Sequence, residues 1–218
     1  MNGFLNDSFN RHIAADILSH IVTKVLECID LMREDCENNL KKLDNNEIVI
    51  RDYLYCNYLN DDTVMRSINF DNYRFISEVP ENYVDNKPIG RADLQVFNIE
   101  QFRHRAQYFI IECKRIDGNL TLNRKYIDEG MRRFVGRMPK YTSYYNMNCM
   151  LGFVVKNIDV QKNVDSLNQL LQKDYTDIHV EEYLYTWRIL RTYISSHGRV
   201  TLIHAFPNCV SLIEERPI

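Results

Sequence analysis

Gly90-Arg-Ala-Asp93-Leu-Gln-Val-Phe97, followed after a polar interval by Tyr108-Phe-Ile-Ile-Glu112-Cys-Lys114-Arg115, is the stretch on which the reading of this chain turns. Both halves read as apolar β-strands, and both place charge where a buried strand usually places methyl groups. Side chains alternate between the two faces of a strand. Tyr108, Ile110, Glu112 and Lys114 therefore share one face, with Phe109, Ile111, Cys113 and Arg115 on the other. At ~3.3 Å rise per residue, Glu112 and Lys114 stand roughly 6–7 Å apart at Cβ. In the first strand Asp93 shares a face with Gln95 and Phe97. If the two strands pair, two carboxylates and an ammonium meet at one point of a largely apolar sheet. Charges in such a setting are costly unless they pair with one another or hold a metal.

Upstream, Tyr73 to Val79 reads as a strand closed by Pro80, and Glu81 to Gly90 as the hairpin loop into the Asp93 strand. Farther back, Ile13, Ile17, Ile21, Val25, Ile29, Met32, Cys36 and Leu40 recur at spacings of three and four, which predicts one long amphipathic helix over residues 9–43. A helix of that length either breaks once or packs along its own domain or a second copy. Asp44 fits the N-cap of a second helix, from Glu47 to about Leu59, with Glu47 placed as in a capping box. Downstream, a helix is expected from Asn123 to Met138. Ile127, Met131, Phe134 and Met138 form its inner stripe, Tyr126, Gly130 and Arg133 form a second, and Pro139 stops it. The continuous apolar run Cys149 to Lys156 predicts a strand buried on both faces. Ile158 to Lys173 comes next as an amphipathic helix. Ile178 to Ser196 has mixed periodicity and leans to strand, and Arg199 to Phe206 is a final strand.

With 218 residues, 45% of them apolar, the chain is long enough to bury a core as one domain. The reading divides it into a helical segment over 1–43, packed on the core, and a domain over 44–218. No run approaches ~18 apolar residues, and the N-terminal residues lack a charged segment leading into an apolar one. Secretion and membrane insertion are therefore not expected, and a cytoplasmic protein is. The six cysteines show no C-x-x-C pair, which suits reduced core thiols. The six histidines lack metal-site spacing, His197 reads as part of a turn, and no nucleotide-binding glycine loop occurs. The net charge of −3 argues against indiscriminate nucleic-acid coating. From Gln101 to Lys140, however, ten Lys/Arg face four Asp/Glu, so that segment is +6 and the rest of the chain is −9. Such a segment either meets a polyanion or forms a solvated face.

Asp93, the Glu112-Cys113-Lys114 triplet and the order strand, strand, strand, helix, strand around them resemble the PD-(D/E)xK nuclease superfamily. The resemblance covers roughly Glu47 to Lys156, and Ala92 stands where the family's name has proline. It implies an α/β fold with a restriction-endonuclease-like core: helix, three strands, helix and a fourth strand in a mixed sheet flanked by helices. To that core are added the long N-terminal helix and a C-terminal helix-and-strand extension. It further implies a catalytic set of Asp93, Glu112 and Lys114, and a Mg²⁺ ion, replaceable by Mn²⁺, held by Asp93, Glu112 and the backbone carbonyl of Cys113. Hard oxygen donors with few histidines suit such an ion. Glu47 is either a further carboxylate on that ion or simply a capping residue, and Glu78 either a ligand or an outward-facing side chain. Gln95, Tyr126, Arg132 and Arg133 are candidates for substrate contact, with a solvated helix face as the alternative for the arginines.

These expectations amount to a metal-dependent nuclease hydrolysing DNA, resembling bacterial restriction and phage-defence proteins. A homodimer, or a place within a defence complex, would suit double-strand cutting by one site per chain. Two other readings compete. One is an inactive nuclease-fold scaffold or nucleic-acid sensor in a larger complex; the other is an RNA-cleaving nuclease or toxin.

Overall fold

The computed structural model describes residues 7–101, 108–136, 139–141, 146–188 and 191–214. Seven strands form a single sheet: β1 (Tyr73–Val84), β2 (Lys87–Asn98), β3 (Phe109–Ile116), β4 (Met147–Val154), β5 (Glu182–Thr186), β6 (Thr192–His197) and β7 (Val200–Ala205). Their spatial order is β1-β2-β3-β4-β7-β6-β5. The first three strands run as an antiparallel meander, β3, β4 and β7 are mutually parallel, and β7, β6 and β5 return antiparallel. This is a mixed α/β sheet, as expected, and the stretch between Ile178 and Ser196 does supply strands.

Helix α1 (Asp7–Asn38) covers one face of the sheet. Its Leu18, Ile21, Val22, Val25, Ile29 and Met32 are buried with Leu94, Ile111, Cys149, Leu151 and Ile203 of the strands. The expected stripe is too long at both ends, since Ile13 is 42% and Leu40 89% exposed. Leu40 sits in the left-handed region (φ 51), and Lys41 N bonds back to Cys36 O at 2.8 Å. That closing turn swings Leu40 off the buried face. The opposite face is covered by a helical segment made of α4 (Leu120–Lys125), a π turn over Tyr126–Met131 and α5 (Arg132–Val135), together with α6 (Val160–Lys173). There Tyr126, Ile127, Met131, Val164, Leu167 and Leu171 are buried with Ile110, Met150, Leu202 and Phe206. The helix starts earlier than Asn123, and Met138 of its expected inner stripe lies outside the described residues. Every residue of β4 is buried, as its unbroken apolar run requires.

Two local expectations are corrected, and one element is added. The cap of α2 (Glu47–Leu54, continued by a π turn to Leu59) is Asn46, not Asp44: the Asn46 side chain accepts from Ile48 N at 2.9 Å. Glu47 is thus the first helical residue, and no capping box forms. A short helix α3 (Asp62–Ser67), capped by Asp61, fills part of the interval before β1, to which the sequence reading assigns no element. Finally, β1 does not stop at Pro80. It continues to Val84 and turns through Asp85 and Asn86, both at positive φ (49 and 61), into β2 at Lys87. A two-residue turn of that hand suits paired antiparallel strands. Pro80 is tolerated because β1 is an edge strand of the sheet.

Candidate functional site

Strands β2 and β3 are paired over only three residues, Leu94–Ile111, Gln95–Ile110 and Val96–Phe109. Beyond Leu94 the ladder opens, which leaves the N–H of Cys113 without a strand partner. The Asp93 carboxylate takes the vacant role, with Oδ2 accepting from Cys113 N at 2.7 Å. Its other oxygen, Oδ1, accepts from Arg51 Nη1 at 2.6 Å. The sequence thus puts a carboxylate at the point where backbone pairing ends and a side chain can reach between two strands.

Into this gap β3 directs Glu112 and Lys114 on one face, as alternation predicts. Lys114 Nζ lies 2.8 Å from Glu112 Oε1, 3.0 Å from Glu47 Oε1, 2.7 Å from the Cys113 carbonyl and 4.0 Å from Asp93 Oδ2. All four oxygen sources expected to surround a metal ion instead surround this one ammonium. Glu47 reaches it because, as the first residue of α2 with Asn46 capping, its carboxylate points at β3; Oε2 also accepts from Arg115 N at 3.2 Å. Glu47 is therefore not the cap, and its carboxylate meets the Lys114 ammonium and the Arg115 N–H. The thiol of Cys113 is buried on the opposite face, as expected.

Glu112 is wholly buried, 0% exposed. Burial, and then the neighbouring Asp93 carboxylate, pushes its carboxyl up to about 7, in spite of Lys114 and Arg133. Burial works to lower the Lys114 pKa, but Glu112, Glu47 and Asp93 together hold it above the ordinary lysine range. Arg133 Nε is 3.2 Å from Glu112 Oε1. The Tyr141 hydroxyl is 2.6 Å from Glu112 Oε2, accepts from Arg133 Nη1 at 2.5 Å and lies 2.7 Å from the Arg91 carbonyl. Glu47, Asp93 and Glu112 thereby each have a cationic partner in Lys114, Arg51 or Arg133, and Arg51 is shared with Asp52 and Glu78.

Chains compared with protein-family models, with curated proteins and with solved structures can reveal kinship; this one matches none of them.

Of the expected substrate contacts, Arg133 joins the cluster and three do not. Arg132 turns to Asp177, at 2.8 Å, and Asp128, at 3.5 Å. Tyr126 is fully buried with its hydroxyl 2.8 Å from His204 Nδ1. Gln95 donates its amide to Glu81, which also accepts from the Tyr108 hydroxyl at 3.1 Å. The reason for Tyr126 is the π turn, which holds more residues per turn than an α-helix and rotates the residues after it. Gly130 then lies over the site, close enough that an added Cβ would stand 2.4 Å from Met150 Cε and 3.4 Å from Lys114 Cγ. Glu78 is opposite Asp93 in the hairpin, in the left-handed region (φ 55), and its carboxylate pairs with Arg51 and, at 3.6 Å, Arg91.

Sequence reasoning overlooked Arg51 and Tyr141. Arg51 was findable, since it lies one helical turn beyond Glu47 and shares its face. Tyr141, in an irregular segment after Pro139, carries no periodic signal. The histidines also hold more structure than their spacing suggests. His204 Nε2 and His197 Nε2 each lie 2.8 Å from the Ser195 hydroxyl, and His197 is a buried strand residue rather than part of an open turn. Burial lowers the pKa of both rings, that of His197 to about 4. Among the described residues, no group of three or more His, Cys, Asp or Glu side chains stands arranged to hold a metal.

A cleft of about 580 Å³ opens beside Lys114. It is lined by Asn45, Glu47, Lys114, Arg115, Lys125 and Glu129, among others. Arg115 donates to the Asn45 backbone and side-chain oxygens, and Lys125 makes no ion pair among the described residues. Part of the basic charge read in the sequence thus borders the cluster; Arg103, Arg105 and Arg137 lie outside the described residues. No described helix is long and apolar enough to cross a membrane.

Proposed function

We propose that this protein is a metal-dependent phosphodiesterase that hydrolyses nucleic acid, with DNA as the favoured substrate. The observation that carries the reading is the convergence of Glu47, Asp93, Glu112 and the Cys113 carbonyl on one cationic point, where two strands part and a basic cleft begins. The donors are all oxygens, which fits a hard ion such as Mg²⁺ or Mn²⁺. The ammonium of Lys114 stands in for that ion and must yield the position to it. Asp93 and Glu112 would then hold the ion, with the Cys113 carbonyl and Glu47 as further donors. Bound there, a divalent ion supplies an acidified water and charge neutralisation at a phosphate.

The protein's own groups do the rest. Arg51 and the Cys113 N–H fix both oxygens of Asp93, so the carboxylate cannot rotate away. Arg133 and Tyr141 hold Glu112 in its buried position. Lys114 also lines the cleft, where a freed ammonium stabilises negative charge developing on phosphoryl oxygens. Arg115 and Lys125 attract the phosphate backbone.

A second reading has its own support. Each of the three carboxylates already has a cationic partner within the protein, as suits a nuclease-fold scaffold that binds nucleic acid without cutting it. Incubation with plasmid and linear DNA separates the two. Cleavage is expected with Mg²⁺ or Mn²⁺ and its disappearance with excess chelator. Binding without cleavage would select the scaffold, and cleavage of RNA alone would move the substrate from DNA to RNA.

A further inference from the structure

Parallel strands β4 and β7 end side by side, and the chain leaves them toward opposite faces of the sheet. After Val154 it passes Lys156 and Asn157 into α6, whose Val164, Leu167 and Leu171 pack on one face. After Ala205 it passes Pro207 to Cys209 into a short turn whose Leu212 packs with α1 on the other face. The two exits are stitched together, with Val154 N donating to Pro207 O at 3.0 Å and Cys209 N to Val154 O at 2.9 Å. Where adjacent parallel strands part in this way, a crevice opens beyond their carboxyl ends, and open α/β sheets favour ligands there.

Such a crevice is present, with a volume of about 280 Å³. Among the described residues its charged lining is Arg33, Lys156 and Arg191, with no Asp or Glu. Arg33 and Arg191 share Asp30, at 3.0 and 3.8 Å, and Arg191 also borders a second hollow lined by Glu27 and Glu34. Lys156 is exposed and makes no ion pair among the described residues. Asn208 also lines the crevice. Its Oδ1 is committed to Val210 N at 3.0 Å, which leaves its amide NH₂ to donate. Arg191 is held in the left-handed region (φ 64), a conformation uncommon outside glycine and frequent at ligand-binding positions. Three lining cations, a spare amide donor and, among the described residues, no lining carboxylate describe a receptor for an anion rich in acceptor oxygens.

We propose that this crevice binds phosphate groups, with Lys156 and Arg191 as the principal cationic contacts and Asn208 as an amide donor. Its size suits one or two phosphates rather than a whole dinucleotide. The inference stands apart from the nuclease reading, since it uses none of the residues of the Lys114 cluster. The phosphate could belong to a free anion or to the backbone of a nucleic acid, and two measurements tell these apart. Calorimetry with inorganic phosphate and pyrophosphate, and anisotropy of a labelled single-stranded DNA in chelator at several salt concentrations, would be run on the wild type, Lys156→Ala and Arg191→Gly. Lys156 is a surface side chain, and glycine keeps the left-handed backbone at 191, so both variants should melt as the wild type does. A free anion is the ligand if the wild type binds pyrophosphate and each variant weakens it about tenfold or more. A backbone phosphate is the ligand if DNA affinity falls and the salt slope drops by about one for each cation removed. Variants that match the wild type in both measurements, or a wild type that binds neither probe, would overturn the proposal.

Discussion

Lys114→Met should destabilise the metal-free protein by about 1–2 kcal/mol at pH 6 and by about 4–5 kcal/mol at pH 9. The smaller part is the loss of a buried ammonium that bonds to the Cys113 carbonyl and Glu47. The pH-dependent part comes from Glu112. Its carboxyl is raised from 4.5 to about 7 in the folded chain. The folded state therefore keeps a proton that the unfolded state releases, and stability falls as pH climbs from about 4.5 to about 7. Above that, wild-type Glu112 is ionised beside Lys114 and Arg133, and the decline ends. Without the ammonium, Glu112 keeps its proton to a higher pH, and the variant loses about 1.4 kcal/mol more for each further pH unit. Urea unfolding at pH 6, 8 and 9, with an unchanged m-value, measures the widening gap. A gap of constant size would mean that Lys114 and Glu112 are not coupled as described. Saturating Mn²⁺ should return part of the loss, since an ion bound only by the folded state stabilises it by about 2.7 kcal/mol at a hundred times its dissociation constant.

Asp93→Asn and Lys114→Ala should each lower nucleic-acid cleavage by about 10²–10³-fold or more, the scale of removing one group that meets developing charge. They should do so for different reasons. Asparagine can still accept from Cys113 N, so Asp93→Asn keeps the fold but removes an anchoring charge, and divalent affinity should fall with activity. On the proposed function Lys114→Ala removes the cation that takes the ion's position, so divalent affinity should be kept or strengthened while cleavage is lost. Equal cleavage by either variant and the wild type would take these residues out of the chemistry. A parallel loss of ion binding in Lys114→Ala would show that the lysine organises the donors rather than competing for them.

What could be read from the sequence was what depends on local period. Alternation along Tyr108 to Arg115 placed Glu112 beside Lys114 and turned the Cys113 thiol away, and both hold at 0% exposure for Glu112 and Cys113. The unbroken apolar run at β4 declared a doubly covered strand. Readings failed where tertiary position overrides a local rule. Pro80 ends most strands, but β1 lies at the sheet edge, where a missing N–H leaves no neighbour unpaired. Tyr126 and Arg133 were assigned to one stripe on an α-helical period, and the π turn over Tyr126–Met131 separates them, sending Tyr126 to His204 and Arg133 to Glu112. Arg51 became visible only with Glu47 fixed as the first residue of α2. Tyr141 meets Glu112 across 29 residues of sequence, a pairing that no local pattern encodes.

The proposed function makes the cluster a divalent-ion site whose place the Lys114 ammonium takes, and calorimetric titration of Mn²⁺ at pH 8 tests that most directly. The wild type should bind one ion per chain, Asp93→Asn should bind far more weakly, and Lys114→Ala at least as tightly as the wild type. A wild type that binds no ion, or binds it no better than Asp93→Asn, would contradict the account and leave the cluster a self-neutralised ion-pair network.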